Sequence, residues 1–326
     1  MTTNNTPLPS VEFSQVVSCG CGIDVHQNLI VATINHGNNQ VEIKHFDAYT
    51  RSLTELREWC KSEGVTHIAM ESTGIYWVPV LNILEEDFEI VLVNARHVKG
   101  VPGHKTDKKD SVWLSKLLIS GLLKNSFIPP EPIRNLRDLV RYRDKVISQI
   151  ASEKNRIIKC LESCNYKLSS VFSDVSGVSA TKIITDLIDG KSEIDHLMEY
   201  IHGKVKADRS DIRKSLEGRM TAHHRFLLRT IQESIAQQEL VVAKLSREID
   251  RYAEPYAVEI GLLQTIPGVG RDSAIKLISE IGVDMSKFET DQHLSSWAGM
   301  SPGNNESAGK KKVPEPPTET NTSNPC

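Results

Sequence analysis

The chain has 326 residues, 39% hydrophobic and 25% charged, with a formal net charge of −3 at pH 7. That length suits one large domain or two to three smaller ones, and the charge balance excludes a uniformly basic nucleic-acid coat while leaving room for local basic patches. No apolar run reaches the roughly 18–20 residues of a bilayer span, and polar residues 1–15 lack the basic-then-apolar order of a signal peptide. Six scattered cysteines (Cys19, Cys21, Cys60, Cys160, Cys164, Cys326) make neither a disulfide framework nor a paired C-x-x-C set. These features predict a cytoplasmic protein with reduced thiols, no structural zinc, no membrane partner and a disordered leader over 1–15.

The next hundred residues alternate strand and helix signals. Strands are expected over 16–26, 29–35 and 41–46, with turn residues at 36–39. A helix over 53–60 stops before Gly64, and a short apolar strand over 67–70 runs into Glu71-Ser72-Thr73-Gly74, where Ser72 or Thr73 can cap a helix reaching Leu84. A fifth strand over 89–95 leads through the basic loop RHVKGVPGHK into an amphipathic helix over 107–123, with Val112, Leu114, Leu117, Leu118 and Leu122 as its apolar positions. Three meandering strands followed by αβαβα is the order of a ribonuclease-H-like (RuvC-like) α/β fold, a mixed sheet with helices on both faces, here over 16–128.

Beyond Pro129, Pro130 and Pro132 the chain turns all-α. A long helix over about 134–168 carries eight Lys or Arg against three Asp or Glu between 134 and 159, and Arg137, Arg141 and Arg156 are its candidate nucleic-acid contacts. Helical patches broken by Gly177, Gly190 and Gly203 fill 173–215. A second long helix over 217–252 spaces Phe226, Leu227, Ile231, Ile235, Leu240, Val241, Leu245 and Ile249 near a heptad, which predicts an antiparallel hairpin or an intermolecular coiled coil over 129–258. The segment I-P-G-V-G-R-D-S-A-I-K-L-I-S-E-I-G, residues 266–282, reads as a helix-hairpin-helix inside a small domain over 259–312. Its Gly268 and Gly270 turn can hold a phosphate through backbone N–H groups. Residues 313–326, with four prolines and almost no apolar residue, read as a disordered tail.

Four acids form the strongest candidate site. Asp24 lies on the first strand, Glu71 ends the fourth, and Asp107 and Asp110 share a face at the start of the helix that follows the basic loop. Grouped carboxylates repel unless a divalent cation sits among them, and Mg²⁺ suits such oxygen ligands and phosphoryl chemistry. Lys105, Lys108 and Lys109 interleave with the acids and can contact phosphates beside them. Ser307 lies in the Lys-flanked loop N-N-E-S-A-G-K; a serine nucleophile needs access and nearby positive charge, and taken alone this residue reads as a loop hydroxyl.

Taken together, G-I-D-V-H-Q, M-E-S-T-G-I-Y-W-x-P-V, V-N-A-R-H-V-K-G-V-P-G-x-K-T-D-K-K-D-S-x-W-L, L-x-x-I-P-G-V-G and W-A-G-M-S-P resemble the DEDD transposases of the insertion-sequence one-ten family, relatives of the Piv and MooV invertases, over about residues 17–312. The resemblance implies that Asp24, Glu71, Asp107 and Asp110 are the Mg²⁺-holding acids and Ser307 the recombinase serine. It implies DNA as substrate, a non-coding bridge RNA as guide, assembly as dimers of dimers, and strand exchange through a 5′-phosphoserine intermediate. After Lys310-Lys311-Lys312 the sequence departs from the family pattern, as a truncation or frameshift would make it do. The alternatives are a RuvC-like nuclease that cleaves by water attack, and a truncated copy that only binds nucleic acid.

Overall fold

The computed structural model describes residues 16–37, 40–72, 74–94, 110–123, 125–201, 205–288, 290–300, 306–307 and 310–311. Two compact units emerge: residues 1–128 with 286–326, and residues 129–285.

In the first unit five strands form one sheet in the order β3-β2-β1-β4-β5. They are β1 (Gly20–Val25), β2 (Leu29–Asn35), β3 (Val41–Asp47), β4 (His67–Glu71) and β5 (Glu89–Val93). β1, β2 and β3 pair antiparallel, and β1–β4 and β4–β5 pair parallel, the mixed ribonuclease-H-like arrangement expected from the element order. One face carries Cys21, Ile23, Ile30, Ile34, Ile68 and Met70, packed against Leu53, Leu56, Val80, Leu81 and Leu84 of α1 (Thr50–Ser62) and α2 (Trp77–Leu84). Each of these large aliphatic side chains contributes about 1.5–3 kcal/mol through burial. Alternation along the strands sends Ala69, Val91 and Val93 to the other face, under Leu114 and Leu118 of α3 (Asp110–Ile119). β3 is an edge strand, and Glu42, Lys44 and His45 along it oppose pairing with another chain.

The expected cap at Ser72 does not form. Its N–H and its hydroxyl both donate to Val93 O, tying β4 to β5, and α2 begins only at Trp77, with Tyr76 at its N-cap and no side-chain cap. Thr73 lies outside the described residues.

The second unit is helical. α4 (Glu131–Ser163) packs along α9 (Ala222–Ala253), with α5 (Leu168–Val171), α6 (Val178–Ile188), α7 (Ile194–Met198) and α8 (Arg209–Ser215) between them in the chain. Ile133, Leu136 and Val140, early in α4, cluster with Ile249 and Ala253, late in α9; Ile157, Cys160 and Leu161 cluster with Leu228 and Ile231 at the other end. The two long helices are therefore antiparallel within one chain. Of the heptad positions expected on α9, Ile231 and Ile249 are buried, whereas Phe226 and Leu240 are 72% and 73% exposed; Leu228 and Ala253, outside that reading, are buried as well. α9 also starts five residues later than expected, at a capping box between Thr221 and His224. Before it, the chain passes Gly218 over the Tyr166 ring, where a Cβ would sit 2.5 Å from a ring carbon. α10 (Ala257–Leu263) and α11 (Arg271–Ile281) follow across the Gly268 turn, and Ile260, Ala274, Ile275 and Ile278 join the cluster at the start of α4.

In the first unit α12 (Asp291–Trp297) brings Trp297 within 6.2 Å of Phe127 and 5.7 Å of Phe288. β6 (Glu306–Ser307) pairs antiparallel with β7 (Lys310–Lys311).

Candidate functional site

The parallel pairing of β1 and β4 sets Ile23 beside Met70, so the residues that follow, Asp24 and Glu71, stand level at the ends of neighbouring strands. The alternation that buries Ile23 and Met70 under α1 and α2 turns Asp24 and Glu71 toward the face that α3 covers. α3 crosses that face with Leu118 over Gly20 and with Ser111, Leu114 and Ser115 over Gly22. Its first residue, Asp110, therefore lies at the end of the sheet where Asp24 and Glu71 sit.

Helix and sheet approach each other unusually closely here. A Cβ on Gly22 would meet Ser111 O at 2.2 Å and Ser115 N at 2.4 Å, both backbone atoms. Ser111 and Ser115 are buried, and Ser111 Oγ hydrogen-bonds Thr33 Oγ1 on β2 at 2.8 Å. Small residues on both sides let the backbones approach, and the hydroxyl pair satisfies two groups that would otherwise be buried unbonded. Sequence reasoning missed Gly22, Thr33, Ser111 and Ser115. The usable signal was a glycine two residues before an acid on a strand, facing serines spaced i, i+4 on a helix.

Asp24 is largely covered, at 14% side-chain exposure, and its Oδ2 contacts His26 Nε2 at 3.0 Å. Among the described residues no three His, Cys, Asp or Glu side chains group closely enough to hold a metal ion. Asp24, Glu71 and Asp110, all described, are thus not brought to metal-binding distance of one another; the fourth expected acid, Asp107, lies outside the described residues, as do Lys105, Lys108 and Lys109. Ser307 sits in β6, its backbone in register opposite Lys310.

The expected nucleic-acid contacts divide. Arg137 donates from Nε to Ser279 O at 2.9 Å and from an Nη to Glu280 O at 2.7 Å, closing the C-terminal end of α11. Burial lowers the pKa of its guanidinium, with Glu280 opposing that shift. Arg141 makes a two-pronged bond to the Glu280 carboxylate, 2.9 Å at each oxygen. Arg156 is exposed and pairs with Glu153, one turn away, at 2.8 Å. Gly268 has φ +87°, a left-handed conformation natural to glycine, and both Gly268 and Gly270 face open space.

No curated protein matches the chain. Two family models do. Residues 21–166 match the IS110 DEDD transposase model, described as a transposase, and residues 261–319 match one described as "Transposase IS116/IS110/IS902 family". The first match spans the whole sheet, α3 and all of α4; the second runs from the last turn of α10 through α11, α12 and β6–β7. Two separate parts of the chain thus give the same answer over more than half its length: this protein belongs to the IS110/IS902 family of DEDD transposases.

Proposed function

We propose that the chain is the recombinase of an insertion sequence, cutting and rejoining DNA with a divalent-metal acid site and a serine nucleophile under the guidance of a non-coding RNA, as a homodimer or tetramer. The observation that carries this reading is the placement of Asp24 and Glu71 level on one face of the sheet, beside the start of α3 at Asp110, within a matched transposase segment. Asp107, three residues upstream of Asp110, is the fourth acid of the proposed set.

These carboxylates are hard oxygen donors, the ligand chemistry Mg²⁺ takes. Bound there, the ion would supply charge stabilisation to a phosphate under attack. The chain's own contribution is then positional. Gly22 and the Thr33–Ser111 bond hold the helix start against the sheet, and His26 restrains the Asp24 carboxylate. In the chemical step Ser307 Oγ gives up its proton and forms a bond to the scissile phosphorus, the bond from phosphorus to the 3′ oxygen breaks, and that oxygen takes up a proton to leave as a 3′-hydroxyl, so the proton lost by the serine balances the one gained. Religation runs the same step in reverse with an exchanged 3′-hydroxyl. Lys310 stands in backbone register opposite Ser307.

The test combines the protein with its matching RNA and DNA substrates. A covalent protein–DNA adduct that forms with Mg²⁺, disappears with a chelator, and is abolished in Ser307→Ala and Asp24→Asn is the expected result. Free 5′-phosphate ends that persist in Ser307→Ala would overturn the serine role in favour of cleavage by water.

A further inference from the structure

α4 and α9 enclose a cleft of about 560 Å³ at the end of the helical pair remote from α11. Apolar Leu227 and Ile231 form part of its lining, with Arg156, Lys159, His223 and His224 around them. Among the described residues the one acid lining it is Glu153, already held by Arg156.

The cleft holds a cation, Lys159, that differs from those nearest α11. Near α11, Arg141 pairs with Glu280, Arg143 with Asp272 and Lys276 with Asp144, so those cations are neutralised within the protein. Lys159 has no ion-pair or hydrogen-bond partner among the described residues. Thr221 N and Oγ1 both contact His224 Nδ1, at 3.3 and 2.9 Å, so the ring's other nitrogen, Nε2, is the one not engaged by this cap. His223 and His224 also stand in the first turn of a 32-residue helix, where the helix dipole favours negative charge. Arg156 and Lys159 are one turn apart on α4, roughly 5–6 Å between Cβ atoms, so a strand seated at Lys159 reaches Arg156, whose exposed pair with Glu153 is weak enough to exchange for a phosphate.

We infer that this cleft is a phosphate-binding site that takes the phosphodiester backbone of a nucleic-acid strand, with Lys159 and Arg156 as its cations and the His223 and His224 rings beside them at the start of α9. The inference rests on the nucleic-acid-handling function proposed above and names one subsite of it. It also relocates the basic surface that meets the strand, from α4 as a whole to the half of α4 that faces the start of α9.

The test is fluorescence anisotropy with a 20-nucleotide single-stranded DNA, a 20-base-pair duplex and a 20-nucleotide RNA, each titrated over a range of salt. Lys159→Gln should lower the log–log salt slope by about 1 for at least one probe, and Arg156→Gln with Lys159→Gln by about 2. At 0.1 M salt that is about five- to eightfold in affinity for each phosphate no longer neutralised. Lys276→Gln, at the far end of the pair, should change neither slope nor affinity. Thermal unfolding of each variant checks that the fold is kept. An unchanged slope in the double variant, or equal weakening in Lys159→Gln and Lys276→Gln, would overturn the site while leaving the proposed function standing. A wild-type protein that binds none of the three probes would instead sink the nucleic-acid reading itself. Adenosine monophosphate titrated alone separates the two sources of phosphate: saturable binding abolished in Lys159→Gln, with strand binding unaltered, would make this a site for a small phosphate ester and overturn the strand assignment.

Discussion

Thr33 and Ser111, 78 residues apart in sequence, share a buried 2.8 Å hydrogen bond between β2 and α3. It is the polar pin of the helix–sheet seam, and it lies one residue from Asp110. Removing either hydroxyl leaves the other buried without its partner, at about 1–3 kcal/mol. Thr33→Val and Ser111→Ala should each destabilise the protein by that amount, and the double variant by clearly less than the sum. A double-mutant cycle by urea unfolding measures the coupling, and strictly additive losses would show that the bond contributes nothing.

Gly22 and Gly20 pose a graded test of how close the seam is. Alanine at Gly22 must displace backbone atoms of Ser111 and Ser115, whereas alanine at Gly20 meets the end of the Leu118 side chain at 2.9 Å, which can swing aside. Gly22→Ala should cost about 3 kcal/mol and Gly20→Ala about 1 kcal/mol. Because Gly22→Ala pushes off the helix that begins at Asp110, it should also weaken Mn²⁺ binding measured by electron paramagnetic resonance. Equal unfolding midpoints for the two variants would mean that the helix is free to shift.

Arg137 illustrates a sequence signal that the fold uses differently. Its two bonds to the last carbonyls of α11 predict that Arg137→Ala loses about 2 kcal/mol of stability, with the salt slope of nucleic-acid binding unchanged. A slope reduced by about 1 at unaltered stability would restore Arg137 to the nucleic-acid surface.

Much of the fold was legible because the β-type runs of β1, β2, β4 and β5 reflect strands buried on both faces, whereas the alternation in β3 marks no buried face: Val41 and Ile43 are 41% and 44% exposed. The acids Asp24 and Glu71 were legible as charged residues ending otherwise buried strands. The seam was not, because a glycine and two serines have no hydrophobic signature; their role arises only when two backbones touch. The pairing of Arg137 and Arg141 with α11 was hidden for a related reason. It joins residues some 140 positions apart, and a charge count over one helix cannot see the carboxylate that another helix brings. Leu240 misled in the opposite direction: it fits a heptad on α9 with Ile231 and Ile249, yet 73% of it is exposed while those two are buried.

Asp186 on α6 supplies a prediction in pH. Its buried carboxylate accepts from Tyr200 Oη at 2.7 Å, Lys191 Nζ at 2.9 Å and His196 Nε2 at 2.7 Å, drawing α7 and the residues after α6 onto that helix. The bonds from Tyr200 and Lys191, and then His196, hold its pKa down to about 2 against an ordinary value of 3.8. A carboxylate whose pKa falls on folding stabilises the protein fully above the unfolded value, and that stabilisation fades as pH falls through the folded one. Asp186→Asn should therefore cost about 2 kcal/mol near neutral pH, through weaker hydrogen bonds. The difference in urea midpoint between wild type and variant should hold constant from pH 7 to about 5 and shrink between about pH 4 and 2. A difference that stays constant down to pH 2 would show that the charge on Asp186 contributes nothing and that only its shape is needed.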